Sequence, residues 1–223
     1  NYQIEVFNRD NHTYHEMDAF TDRDLNKLAF WSATGSGKTL LMHVNILQFK
    51  HYSAQKVQLN RTILITPNAG LTQQHTDEFR LSSIESNVFS KQYVGTFFDK
   101  NNIDIIEITK LDEKDGDKKV AVDSFESNNL VLVDEGHRGS SGDVWKNMRD
   151  KLSADGFAFE YSATFGQAVS AQSNGKKKKD MLNEYGRATL FDYSYRYFYN
   201  DGYGKDYQIL NMSETWNELS VTK

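Results

Sequence analysis

Five short runs of aliphatic, β-branched and aromatic residues punctuate the chain, at 27–33, 61–66, 102–111, 129–134 and 157–162, with helix-like stretches between them. That alternation predicts parallel strands joined by crossover helices. The helices are expected at 38–52, 68–79 and 143–152, and in the first of them Leu41, Val44, Ile46 and Leu47 crowd one side. In Leu130-Val131-Leu132-Val133 the apolar residues succeed one another without alternating. A central strand covered on both faces has this pattern. The fold class that follows is α/β, a mainly parallel, doubly wound sheet with helices on both faces.

Two stretches break the rhythm. Residues 111–119 (LDEKDGDKK) form a charged turn, and 170–180 (SAQSNGKKKKD) form a polar loop ending in four lysines, Lys176 to Lys179; both are expected to be solvated. From Phe191 to Tyr199 the aromatics fall on alternate residues, which predicts a strand burying one aromatic face. With no internal repeat and no long linker, the reading is a lead-in at 1–26, one main domain at 27–165 and a C-terminal extension at 166–223.

Composition narrows the classes. Of 223 residues, 38% are hydrophobic and none is cysteine. A disulfide scaffold, a cysteine nucleophile and thiolate metal sites are thereby excluded, and a cytoplasmic setting is expected. Lysine and arginine number 26 against 31 acidic residues, a net charge of −5, so a polycation is ruled out but not a local basic groove. No apolar run approaches the roughly 18 residues of a membrane helix, so no membrane partner is expected. A single proline, Pro67, stands where average usage of about 5% would give roughly eleven. The chain begins at Asn1 and not at methionine, from which a piece of a longer protein is expected.

Candidate chemistry begins at Ser32-Ala33-Thr34-Gly35-Ser36-Gly37-Lys38-Thr39, where a predicted strand hands over to a predicted helix. Small residues let successive backbone N–H groups turn inward around an anion, and the helix N-terminus adds its positive end. Lys38 can then reach the β- and γ-phosphates of a nucleotide, and the Thr39 hydroxyl can ligate Mg²⁺. Ser32 stands where the strict phosphate-loop pattern has its first glycine. Further on, Asp134-Glu135-Gly136-His137 closes the buried strand at the sheet edge that should also carry the loop. An aspartate there can hold the metal's water shell, and the adjacent glutamate can orient and deprotonate the attacking water.

Thr34–Thr39 with Asp134-Glu135-Gly136-His137 and Ser162-Ala163-Thr164 resembles motifs I, II and III of superfamily 2 helicases and translocases, in the flavour of the Res subunits of type III restriction systems. Pro67-Asn68-Ala69-Gly70-Leu71-Thr72-Gln73-Gln74 has the spacing of motif Ia. The resemblance covers about residues 27–165 and implies a RecA-like P-loop NTPase lobe. It implies ATP and Mg²⁺, with Thr34, Gly35, Ser36, Gly37, Lys38 and Thr39 binding phosphate, Thr39 and Asp134 holding metal, and Glu135 acting as catalytic base with Lys38. It implies that His137, Ser162 and Thr164 couple nucleotide state to lobe movement, and that Thr66, Pro67, Asn68 and Gln74 lie near nucleic acid. The implied partners are DNA in preference to RNA, a second RecA-like lobe in the same polypeptide, and restriction or defence subunits.

Three departures qualify that picture. Gly136 replaces the alanine common in motif II. No glutamine occurs between Gln3 and Gln48, so the usual adenine-reading residue is missing, with Arg9, Tyr14, Phe20 or Arg23 as stacking substitutes. Only about 58 residues follow Thr164, too few for a second lobe; nucleotide binding with little intrinsic turnover is expected of this segment alone. His12 and His15 fit one helix face but lack a third metal ligand, and no Glu-x-Lys triplet marks a nuclease. The competing functions are a P-loop phosphotransferase such as a nucleotide kinase, which has no call for a water-activating glutamate, and a nucleotide-gated scaffold that hydrolyses poorly.

Overall fold

A computed structural model describes residues 4–5, 8–9, 18–54, 56–89, 101–112, 119–136, 143–170 and 175–204. The elements run β1 (Lys27–Ser32), α1 (Lys38–Ser53), β2 (Thr62–Thr66), α2 (Ala69–Leu81), β3 (Ser86–Val88), β4 (Ile103–Glu107), β5 (Leu111–Asp112), β6 (Val120–Ala121) and β7 (Leu130–Asp134), followed by α3 (Asp143–Leu152), β8 (Phe157–Ser162), α4 (Phe165–Ser170), α5 (Gly175–Ala188), β9 (Thr189–Tyr193) and α6 (Tyr195–Asn200). Seven of these strands form one sheet in the order β3-β4-β2-β7-β8-β1-β9, and every pairing in it is parallel. All their C-terminal ends therefore lie along one edge.

Successive residues of the central strands enter opposite cores, as the unbroken apolar runs predict. Ile63, Ile65, Val131 and Val133 join Met148 and Leu152 of α3 on one face. Leu64, Leu130 and Leu132 join Met42 and Ile46 of α1 and Phe79 of α2 on the other. Each fully buried side chain of this size contributes about 1.5–3 kcal/mol, which makes the alternate-face packing the main determinant of the layering. In β1 the same division sends Leu28 and Phe30 towards α1, and Ala29 and Trp31 towards Phe165, Val169, Met181 and Tyr185 of α4 and α5. Asn45 of α1 donates to the buried Tyr161 hydroxyl of β8 at 2.8 Å, which sets the helix against the sheet.

Three expectations need correction. The strand expected over 102–111 ends at Glu107, where a 3-10 turn (Ile108–Lys110) redirects the chain into β5. The loop expected over 170–180 becomes helix from Gly175. Lysine is a good helix former, and Met181, Tyr185 and Ala188, spaced i, i+4, i+7, give that helix a buried face while Lys176, Lys178 and Lys179 stay exposed. The aromatic strand expected to Tyr199 stops at Tyr193; after Ser194 the chain turns into α6, where Tyr195, Tyr197 and Tyr199 are exposed. Residues beyond 165 thus contribute both a covering helix and the strand next to β1, and Arg187 of α5 ties back to Asp24 before β1 at 3.0 Å.

Candidate functional site

The turn after β1 is built by two glycines in the left-handed region, Gly35 (φ 83°) and Gly37 (φ 87°). A side chain is costly in that conformation, and its absence leaves the backbone N–H groups accessible. Gly37 opens α1, so Lys38 and Thr39 stand on the helix's first turn. Ala33 donates its N–H to the Tyr193 carbonyl of β9 at 2.9 Å, and Ser36 donates to the Ala33 carbonyl at 3.1 Å, which fixes the loop's base. Thr34, Gly35 and Gly37 are exposed. The Ser36 hydroxyl is buried with no hydrogen-bond partner among the described residues.

Parallel pairing brings β7 to the same edge, and with it Asp134 and Glu135. Lys38 Nζ lies 2.7 Å from Glu135 Oε1 and 3.1 Å from Asp134 Oδ1, so one ammonium bridges both carboxylates. Burial pulls that ammonium's pKa down, but the two carboxylates outweigh it and hold Lys38 above the ordinary lysine value. Asp134 is almost completely buried. Burial pushes its carboxyl up, yet the hydrogen bond from His75 and the charge of Lys38 prevail and keep it below the usual carboxylate range. Asp134 is thereby a fixed anion, and an ionised carboxylate only accepts; Nε2 of His75 must carry the proton it shares with Asp134 Oδ2 over 2.9 Å.

Glu135 itself adopts φ 54°, a left-handed conformation that costs a non-glycine residue about 1–2 kcal/mol. Two backbone bonds hold it there: its own N–H to Asp134 Oδ1 at 3.0 Å, and the next N–H, from Gly136, to the Tyr161 carbonyl at 2.9 Å. On the neighbouring strand Ser162 is fully buried, and its Oγ accepts the N–H of Thr164 at 3.0 Å.

The motif Ia residues divide. Thr66 ends β2 beside β7 but is fully buried, its hydroxyl 2.6 Å from that of Thr72. Pro67 is half-buried; Asn68 is exposed and caps α2 by accepting the Leu71 N–H at 2.9 Å. Gln74 is exposed and donates to Glu78 along its own helix at 3.0 Å, so it is tied to α2 and not to the carboxylates. His137 lies outside the described residues, as do Tyr14, His12 and His15 among the other candidates, whereas Arg9 is exposed and Phe20 half-buried.

His75 carries no motif signature. The available signal was its place on the inward stripe of α2 with Thr72 and Phe79: a polar residue on a buried face requires a partner, and here the partner is Asp134.

The donor set suits a hard divalent cation. Thr39 and Asp134 offer oxygens, the kind of ligand that Mg²⁺ prefers, and Mg²⁺ characteristically completes its shell with substrate phosphate and water. Among the described residues no group of three His, Cys, Asp or Glu forms a dedicated metal cage. The site fits a metal carried in with a phosphorylated substrate.

Beneath the acidic turn lies a second charged cluster. Glu160 of β8, 1% exposed, meets Lys27 at 3.0 Å and Arg149 at 2.9 Å. Glu184 of α5 meets Lys27 at 2.7 Å and Lys146 at 2.6 Å. Burial pushes the Glu184 carboxyl up, but Lys27 and Lys146 overcome it and bring the pKa down to about 2. A carboxyl depressed from its ordinary value of about 4.5 stabilises the fold fully above that value, and the contribution is lost as pH falls towards 2. The thermal midpoint of the protein is accordingly expected to drop between pH 5 and pH 2, and Glu184→Gln to flatten that drop, as melts followed by circular dichroism across the window would measure.

A family model described as type III restriction enzyme, res subunit, matches residues 1–167. Among solved structures the chain is similar to the SWI2/SNF2 ATPase core of Sulfolobus solfataricus in complex with dsDNA (14% identity, TM-score 0.49), covering 84% of this chain and 37% of that one. It is similar to the Hef helicase domain of Pyrococcus furiosus (16%, TM-score 0.48; 82% and 35% covered) and to the UvsW helicase of bacteriophage T4 (15%, TM-score 0.43; 70% and 51% covered). The chain thus spans between about a third and a half of the length of these solved proteins. No curated protein matches it.

Proposed function

The chain belongs to the family of type III restriction enzyme res subunits, and from that premise we propose that it is the ATP-binding lobe of a nucleic-acid-dependent ATPase that hydrolyses ATP to drive movement on DNA. The observation that carries the reading is the Lys38 ammonium set between Asp134 and Glu135, at 3.1 and 2.7 Å, on the first turn of the helix that follows a glycine loop.

In this reading the N–H groups of residues 34–39 and the N-terminal end of α1 receive the phosphates. Lys38 exchanges part of its contact with the carboxylates for the β- and γ-phosphate oxygens, so the charge that compensates the acidic pair is turned onto the substrate. Thr39 and Asp134 would hold Mg²⁺, which when bound neutralises charge developing on the phosphates. Asp134, kept ionised by His75 and Lys38, stays an acceptor throughout. Glu135 orients the attacking water and takes its proton, in a geometry its left-handed backbone fixes in advance. Ser162, Thr164 and His137 pass the change at the phosphates to a second lobe elsewhere in the polypeptide. Asn68 and Pro67 present the surface beside the strand ends to nucleic acid.

A setting in a cytoplasmic restriction or defence assembly is part of the same proposal. No helix among the described residues is long and apolar enough to cross a membrane. The segment alone should bind nucleotide and turn it over slowly, because the arginines of a second lobe are missing from residues 27–165. The test is the fate of the γ-phosphate: with labelled ATP and the full-length protein, inorganic phosphate is the expected product. Label appearing on a phosphorylated acceptor instead makes the chain a phosphotransferase and overturns the reading.

A further inference from the structure

Glu135 rides on a turn whose underside rests on the buried cluster. The Gly136 carbonyl faces Arg149 Nη1 and the Tyr185 hydroxyl, each 3.4 Å away, while Tyr185 shares its O–H with Glu160 Oε2 at 3.1 Å. Glu160 is itself pinned by Lys27 and Arg149, and Arg149 and Tyr185 are 3% and 4% exposed. Gly136 sits directly against this carboxylate: a Cβ at that position would stand 3.0 Å from Glu160 Oε2 and 3.2 Å from its Cβ. The height of the turn over the sheet is therefore set by contact between a residue without a side chain and a carboxylate that cannot move aside without uncoupling two buried cations. Tyr185 comes from α5, beyond the residues 1–167 that the family model matches.

We propose that Tyr185, Arg149 and Glu160 are positioning residues that hold the Gly136 turn, and through it the Glu135 carboxylate, where it orients the water that attacks the terminal phosphate. The inference rests on the ATPase reading above and extends it, because it places control of the catalytic glutamate in the segment after residue 170. When the Glu135 carboxylate is displaced, Lys38 keeps Asp134 at 3.1 Å and the loop keeps its backbone N–H groups, so the effect falls on turnover and not on nucleotide affinity. Misplacement of a reacting group by about 1 Å is enough to cost on the order of 100-fold in rate.

The experiment uses the full-length protein with DNA, measuring kcat, KM and nucleotide affinity for Tyr185→Phe and Gly136→Ala. Tyr185→Phe keeps the ring against Phe165, 4.6 Å between centroids, and removes only the hydroxyl. It is expected to lower kcat roughly tenfold with ATP affinity unchanged. Gly136→Ala is expected to lower kcat by a similar factor or more. Unchanged kcat in Tyr185→Phe and Gly136→Ala, or equal losses in affinity, overturns the inference while the unaltered protein still turns over ATP. Absence of turnover in the unaltered protein overturns the ATPase reading and this inference with it.

Discussion

Lys38→Ala is expected to abolish measurable ATP binding. The lysine is the cation on the first turn of α1, and it serves two partners, Asp134 at 3.1 Å and Glu135 at 2.7 Å. Its removal strips the phosphate site of its ammonium and leaves two carboxylates at the sheet edge facing an incoming polyanion. Truncating one member of a buried hydrogen-bonded charge pair costs about 2–5 kcal/mol, which corresponds to a loss of roughly 30- to 4,000-fold in affinity. Titration with a fluorescent ATP analogue measures it, and a melting curve on the same sample separates lost binding from lost fold. His75 still bonds Asp134 in the variant, so the sheet edge is expected to remain formed.

Glu135→Gln should do the reverse, preserving nucleotide affinity to within about threefold while lowering hydrolysis by roughly 100- to 10,000-fold, the range expected when a general base is removed. Glutamine keeps the size of the side chain, and its amide oxygen can still accept from Lys38. What it cannot do is take a proton from water. The backbone at position 135 is held at φ 54° by its own N–H bonded to Asp134 Oδ1 and by the Gly136 N–H bonded to the Tyr161 carbonyl, not by the Glu135 side chain, so the turn is expected to survive the change. Single-turnover kinetics with prebound ATP isolates the chemical step; a normal rate there assigns the base elsewhere.

Several parts of the fold were legible because a single physical cause dictated them. β2 and β7 are buried on both faces, so their apolar runs are uninterrupted, and the helix over 143–152 and the strand over 157–162 end where the pattern ends. The placing of the glycine loop and the acidic box at one edge followed from parallel pairing alone. The helix after Gly175 was obscured by composition: four consecutive lysines resemble a solvated loop, and the periodicity that fixes the helix, Met181, Tyr185 and Ala188, begins only after them. Alternate aromatics around residue 195 suit either a strand or a short helix, and the turn at Ser194, where Asp192 accepts its N–H at 2.9 Å, decides for helix.

At the site, the residues picked out by type and spacing lie together in the structure, and those defined only by contact had no signal in the sequence. Lys38, Asp134 and Glu135 meet because β1 and β7, on either side of β8, both end at the same edge of the parallel sheet. His75 and Glu160 are single polar residues in otherwise apolar faces, and only the folded chain says which carboxylate or cation each one meets. Gly136, a departure from the motif in sequence, has its reason in the 3.0 Å that separates its missing Cβ from Glu160. Thr66 shows the converse: a motif picked it out by spacing, and only the structure shows its side chain enclosed in a strand buried on both faces.

The central claim is that this edge of the sheet hydrolyses ATP under the control of nucleic acid. Steady-state ATP hydrolysis by the full-length protein, with and without single-stranded DNA, double-stranded DNA and RNA, tests it most directly. Turnover that DNA stimulates by at least about tenfold, within the range a completed two-lobe site supplies, and that Glu135→Gln abolishes, is the predicted result. Turnover that no nucleic acid changes, or that persists in Glu135→Gln, contradicts it.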